Sequence, residues 1–221
     1  IPGPPPLLYY RGDPALLRDP QLAVVGARHA TAGGLEITRA FARGLAQAGL
    51  GVTSGLALGV DGAAHAGALD AGGATVAVCA TGLDRVYPAA HRGLAGRVAE
   101  AGVLVSEFPL GTPPRRQHFP RRNRIISGLA LGVLVVEAAR GSGSLITARL
   151  AGEQGREVMA IPGSIHNPMS RGCHALIRDG AKLVETLADV LEELPPLAAV
   201  ALAAPGPAPT PVPAVDPAHQ E

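Results

Sequence analysis

The sequence predicts an α/β domain, with a doubly wound, mostly parallel sheet covered by helices on both faces. Three observations carry this. Short apolar runs alternate with stretches of helical periodicity, the sequence form of stacked βαβ units. Several runs are apolar at nearly every position, as strands buried on both faces must be. The core is left to Ala, Val, Leu and Ile: 47% of the 221 residues are hydrophobic, 3% are aromatic and Trp is absent.

Residues 1–20 are Pro-rich, with an apolar patch at Leu7-Leu8-Tyr9-Tyr10, and read as a lead-in that packs a strand on the domain edge. LAVVG (22–26) reads as the first central strand. Leu35 to Ala48 follows as a helix whose apolar face is Leu35, Ile37, Phe41, Leu45 and Ala48. The alternation continues with strand 51–55, helix 60–71, strand 74–80, helix 90–101 and strand 103–107. After a basic loop come helix 120–129, strand 132–138, helix 145–154, strand 157–163, helix 172–179, strand 181–185 and helix 186–194. One domain is therefore expected over 21–194. Residues 195–221, rich in Ala and Pro, read as a flexible tail or linker.

Composition excludes several function classes. No apolar run approaches the roughly 18 residues of a membrane span, and the first residues lack a signal-peptide layout, so a cytoplasmic protein is expected. Cys79 and Cys173 form neither a metal-ligand spacing nor a disulfide framework, and no metal or cofactor is expected.

Charge is local rather than global. The net charge is +1, yet five arginines (Arg115, Arg116, Arg121, Arg122 and Arg124) fall within the stretch Phe108 to Gly128, and no acidic residue occurs from Phe108 through Val136. Such a run predicts where a polyanion docks better than net charge does. It also carries Phe119 and Asn123.

In an open parallel sheet, ligands bind beyond the carboxyl ends of the strands, where helix N-termini present free N–H groups. The loop after the first central strand holds Gly26, Arg28 and Thr31: close backbone approach, a guanidinium fork and a hydroxyl. The dinucleotide fingerprint GxGxxG and its acidic ribose ligand are missing. The next loop begins Ser54-Gly55, and its helix carries Asp61 and His65 four residues apart. With no third ligand or nucleophile at a suitable spacing, that pair reads as a carboxylate at a helix start hydrogen-bonded to a partly buried His. A later loop, Arg140-Gly141-Ser142-Gly143-Ser144, forms a second glycine-rich cradle. It lacks the P-loop lysine, so ATP hydrolysis has no support. Two cradles with arginines between them suit a ligand with several phosphates, such as a nucleic acid strand.

These motifs resemble the DprA/Smf family of DNA-processing proteins. The resemblance rests on Val25-Gly26-Ala27-Arg28, Ser54-Gly55-Leu56-Ala57 with Gly59-Val60-Asp61 and Ala64-His65, Thr81-Gly82-Leu83-Asp84 with Tyr87-Pro88, Phe119-Pro120-x-Arg122-Asn123-Arg124, Ser142-Gly143-Ser144 with Thr147-Ala148, and Ile161-Pro162-Gly163. It implies a Rossmann-like domain that binds single-stranded DNA, forms a homodimer and helps load the RecA recombinase on DNA taken up in natural transformation. By matching motif, Arg28 is implied as a phosphate-binding residue and Phe119 as a base-contacting aromatic. The family commonly has Ser at the place of Ala27, and often a helical N-terminal domain and a C-terminal winged helix.

The candidate interface is thus Gly26, Arg28, Thr31, Ser54, Gly55, Arg115, Arg116, Phe119, Arg121, Arg122, Asn123, Arg124, Ser142, Gly143 and Ser144. His174, Ile177 and Leu183, in an unusually apolar last helix and edge strand, are the candidate dimer contacts. The alternative is a nucleotide-processing enzyme, such as a nucleoside-monophosphate phosphoribohydrolase, with Glu107 or Glu137 as acid/base. Against it, the PGGxGTxxE signature is replaced by RGSGSLITA. Both glutamates are expected instead to orient arginines.

Overall fold

The structure, a computed structural model, describes residues 1–194. Its strands are β1 (Tyr9–Gly12), β2 (Gln21–Val25), β3 (Gly51–Ser54), β4 (Thr75–Val78), β5 (Val103–Ser106), β6 (Gly132–Val135), β7 (Glu157–Ala160) and β8 (Lys182–Leu183). Its helices are α1 (Ala32–Gln47), α2 (Val60–Asp70), α3 (Arg92–Ala101), α4 (His118–Leu129), α5 (Ser144–Glu153), α6 (Arg171–Arg178) and α7 (Leu187–Glu192). The strands form one eight-stranded sheet in the order β1-β5-β4-β3-β2-β6-β7-β8. Every pairing is parallel except β1 with β5, which is antiparallel and places the lead-in segment on the sheet edge.

The strand period of two sorts side chains onto two faces. Leu22 and Val24 of β2 pack with Ala42 and Leu45 of α1, Ala64 and Ala68 of α2, and Val190 of α7. Ala23 and Val25 pack with Ile125 and Ile126 of α4, Ala148 and Ala151 of α5, and Cys173 of α6. On the side of β4 and β5, Ala77 and Leu104 pack with Ala95 and Val98 of α3. The sheet is doubly wound, as the alternation of runs predicts.

Boundaries differ from the sequence reading in one systematic way. The apolar runs extend past the ladder at the carboxyl ends, most clearly at 132–138, where the strand stops at Val135. Val136, Glu137 and Ala138 stay buried, but the Ala138 N–H goes to the Met169 carbonyl of a short 3-10 turn (2.7 Å) rather than to a neighbouring strand. Hydrophobicity reports burial, and here burial outlasts pairing. Two helices also begin two or three residues earlier than expected. The side chain of Thr31 caps α1 by accepting from the Gly34 N–H, and α4 starts at His118, leaving Pro120 in the first turn where a missing N–H costs nothing.

Candidate functional site

From β2 the chain moves one way through β3, β4 and β5, then returns across α4 to β6 on the other side of β2. The loops after β2 and β6 therefore diverge, and a crevice opens between them. It is a cleft of about 770 Å³ lined by Gly26 and Arg28 from the first loop, Arg116 from the basic loop, one face of α4, and Ser142, Gly143 and Ser144 at the start of α5.

The two loops are tied together by Glu137. Its Oε2 accepts the Thr31 backbone N–H (2.8 Å), and its Oε1 accepts the Thr31 hydroxyl (2.7 Å) and the Asn167 amide (3.4 Å). The Ala27 N–H donates to the Glu137 carbonyl (2.6 Å). A Cβ on Gly34 would sit 2.6 Å from the Glu137 carboxyl, so glycine there is required by close approach. Two sequence expectations change here. Glu137 holds the first cradle, not an arginine, and Thr31 is consumed as cap and Glu137 partner and does not line the cleft.

The arginines of α4 separate by face. Phe119, Arg122, Asn123 and Ile126, at helical spacing, line the cleft. Arg121 and Arg124 turn instead to Glu107, whose side chain is 2% exposed: its Oε2 lies 2.8 Å from Arg124 Nη2 and 3.0 Å from Arg121 Nη2. Glu107 does orient arginines, as expected, but away from the cleft. Arg115 is exposed on the basic loop and is not among the lining residues.

Arg122 is 4% exposed. Its Nη1 donates to the Val78 carbonyl (2.8 Å), while its Nε has no partner. Burial depresses its pKa, partly offset by the nearby Asp61 carboxylate. Asp61 accepts the backbone N–H groups of Gly55 (3.1 Å) and Ala57 (3.3 Å). Burial raises its pKa, and Arg122 and those N–H groups pull it back down. Gly55 leaves the space Arg122 occupies, since a Cβ there would overlap the guanidinium. Ser54 is fully buried and donates to the Val24 carbonyl (2.7 Å), so it supports the floor of the site without lining it.

The expected Asp61–His65 hydrogen bond is absent. His65 is fully buried and its Nδ1 faces the Thr75 hydroxyl at 2.7 Å. That hydroxyl donates to the Val52 carbonyl (2.7 Å), so Nδ1 carries the hydrogen. Helical spacing put the two side chains on one face, but backbone donors at the head of α2 took the carboxylate first.

Over the cleft, the Arg28 guanidinium carbon lies 5.3 Å from the centroid of the Phe119 ring, a cation–π distance. Tyr87 joins this group, its ring 5.5 Å from that of Phe119 and tilted by 56°. Tyr87 and Asp61 both line the cleft without being in the sequence-derived set of interface residues. The signal for Tyr87 was its Tyr-Pro step in the loop after β4. At the start of α5, Gly143 offers no side-chain cap, and the first-turn N–H groups of Ser144, Leu145 and Ile146 donate to the Ser142 hydroxyl (3.4 Å), the Ser142 carbonyl (3.1 Å) and the Gly143 carbonyl (3.2 Å). The Asn123 amide donates to the Gly143 carbonyl (3.3 Å), joining α4 to this turn.

The candidate dimer residues lie on another part of the molecule. His174 Nε2 contacts the backbone of Gly163 on α6's neighbouring loop, Ile177 is partly buried against the α4–α6 core, and Leu183 on the edge strand β8 is 41% exposed. Among the described residues no helix is long and apolar enough to cross a membrane.

Comparison with known proteins gives a consistent result. Residues 1–195 match the family described as DNA recombination-mediator protein A. Protein Smf of Escherichia coli K12 is 52% identical over 191 residues, covering 86% of this chain and 51% of its own length, so the chain spans about half of that relative. The X-ray structure of DNA processing protein A from Streptococcus pneumoniae superposes with a TM-score of 0.84 at 48% identity, covering 86% of this chain and 67% of that one. DNA processing protein A from Helicobacter pylori, whose structure was described for its single-stranded DNA binding mode, superposes with a TM-score of 0.81 at 30% identity, covering 87% and 88%. With the same Rossmann-like sheet and a profile match over nearly the whole length, this chain belongs to the DNA recombination-mediator protein A family.

Proposed function

We propose that this chain binds single-stranded DNA along the cleft, without a catalytic step, and serves the loading of RecA recombinase on incoming DNA in natural transformation. The observation that carries the binding reading is the meeting of Arg28, Arg122 and the Phe119 ring at the topological switch point, facing the glycine-rich start of α5. The cations take phosphates, and the ring takes a base. Gly26, Arg116, Asn123, Ser142, Gly143 and Ser144 complete this surface, and Arg115 stands on its approach. Paired bases cannot reach the ring, so single strands are favoured and sequence preference is weak. The binding mode described for the Helicobacter pylori relative supports the reading.

The enzyme alternative loses ground on geometry. Glu137 is spent on Thr31 and Asn167, and Glu107 on two arginines, so neither candidate acid/base is free to act. The RecA role, the cytoplasmic setting and a homodimer through His174, Ile177 and Leu183 are supported by the family resemblance, and for the dimer by the exposure of Leu183.

Oligo-dT should bind with salt-sensitive, micromolar or tighter affinity, lost in an Arg28→Ala, Phe119→Ala double variant that still folds. Release of free base from nucleoside monophosphates, abolished by Glu137→Gln, would overturn this in favour of the enzyme. A strand coated with the protein should shorten the lag of RecA's strand-dependent ATP hydrolysis. Sedimentation equilibrium should give a dimer at micromolar concentration, and a monomer for Leu183→Arg.

A further inference from the structure

A helix leaves its last four carbonyls without partners, and many helices settle them with a left-handed glycine or with a basic side chain in the last turn. α4 has neither. It stops at Leu129, the next residue Ala130 is extended (φ −100°, ψ 156°), and its last turn holds no basic residue. The missing donors come from a turn 26 to 30 positions later in the chain. Arg156 Nη2 donates to the Gly128 carbonyl (2.8 Å) and Arg156 Nη1 to the Ala130 carbonyl, while Gln154 Nε2 donates to the Arg124 carbonyl (3.3 Å).

That turn is itself built to aim the arginine. It closes α5 on Gly155, whose φ of 67° is the left-handed conformation that a residue without Cβ adopts freely. The Gly155 N–H bonds the Gly152 carbonyl (3.0 Å) and the Arg156 N–H bonds the Ala151 carbonyl (2.9 Å), which fixes the Arg156 backbone against the end of α5. Its side chain then crosses to α4. Both terminal nitrogens are committed there, Nε is buried without a partner, and Arg156 does not line the cleft. A guanidinium at this end of a helix also meets the negative pole of the helix dipole.

We propose that Arg156 is a positioning residue for strand binding: it holds the carboxyl end of α4 so that the other end presents Phe119 and Arg122 to the cleft. This rests on the strand-binding reading above. Glu107 pins α4 from one side through Arg121 and Arg124, and the paired bonds from Arg156 keep the helix from sliding along its own axis. An α-helix is stiff over about 14 Å, the rise from Phe119 to Gly128, so a shift at one end appears at the other. Arg156 itself takes no phosphate.

The test measures oligo-dT affinity by fluorescence anisotropy across a salt series, and backbone exchange by hydrogen–deuterium mass spectrometry. Arg156→Ala should bind about tenfold more weakly, the scale of one charge-assisted hydrogen bond, with the salt slope of the parent. Amides at the end of α4 (124–130) should exchange faster while those of β2 and β6 keep their protection. Arg156→Lys, which keeps the charge but cannot span both carbonyls, should fall between the parent and Arg156→Ala in affinity and in exchange. Parent-like affinity in Arg156→Ala, or in Arg156→Gln should the alanine variant not fold, overturns the positioning role and leaves strand binding standing. So does faster exchange throughout the sheet, which makes the loss one of stability alone. A salt slope shallower by about 0.7 makes Arg156 a direct phosphate ligand and overturns it too. No anisotropy change with the parent protein at low salt removes strand binding itself, and this role with it.

Discussion

At the scale of single residues, the site depends on small side chains that make room for large ones. Gly55 is the clearest case, because the Arg122 guanidinium lies where its Cβ would be. Gly55→Ala should push Arg122 off the Val78 carbonyl and cost about 1–3 kcal/mol in denaturant unfolding, the penalty for a buried donor left without its partner. Strand affinity should fall with it. His65 makes a second, pH-dependent case. Its folded pKa is lowered to about 3 from 6.5 by burial first, then by His91 and Arg122. Between those pH values the unfolded chain binds a proton that the folded chain refuses, so stability falls as pH drops from 6.5 toward 3, by at most about 1.4 kcal/mol per pH unit. Asp61 acts with the opposite sign: its raised folded pKa makes stability fall as pH rises above 3.8 toward that pKa. Urea midpoints measured across this range should show the acid-side loss in the parent protein. His65→Gln, even if less stable at pH 7, should flatten the acid-side slope.

At the scale of elements, α4 is a helix with two employments. One face turns Phe119, Arg122, Asn123 and Ile126 into the cleft. Another face anchors the helix through Arg121 and Arg124 on the buried Glu107 carboxylate, where Arg121 also stands 5.5 Å from the Phe108 ring and Phe108 stacks on His118 at 4.1 Å. The five arginines of the basic run therefore do different jobs. Arg121→Ala and Arg124→Ala should leave strand affinity within a few-fold of the parent. Arg122→Ala should lower it about tenfold or more, the scale of a lost charge-assisted hydrogen bond. Glu107→Gln should leave affinity largely intact and lower stability by about 1.5–3 kcal/mol, read by thermal or denaturant unfolding. A larger effect of Arg124→Ala on binding than of Arg122→Ala would reverse this division of labour.

At the scale of the whole molecule, the strand order decides where these pieces meet. Reversal of the winding at β2 and β6 opens the crevice, and residues as far apart in the chain as Arg28 and Ser144 line it together. Only Arg28, Arg116 and Arg122 among the sequence-nominated arginines line it. On a single strand each neutralised phosphate contributes roughly −0.7 to the slope of log affinity against log salt, so three cations predict a slope of about −2, where all six nominated arginines would give about −4. A salt titration with oligo-dT distinguishes these.

The alternation of apolar runs, their near-complete apolarity and the clustering of glycine at their ends determined the fold class, the order of the elements and the edge of the sheet where the cleft opens. These are properties of local pattern, since periodicity and turn chemistry are written within a dozen residues. The pairing of β1, the end of each strand and the role of each polar side chain were decided only by the tertiary structure. Thr31, Ser54, Arg121 and Arg124 look like ligand-binding residues in the sequence, yet each is taken by a partner within the protein: Glu137, the Val24 carbonyl, and Glu107 for both arginines. Tyr87 was brought against Phe119 from a loop 32 positions earlier in the chain. The physical reason is that a hydrogen bond or ion pair satisfies a group wherever in the chain its partner lies. Which donors stay free for a ligand is known only after every buried group has found its nearest match.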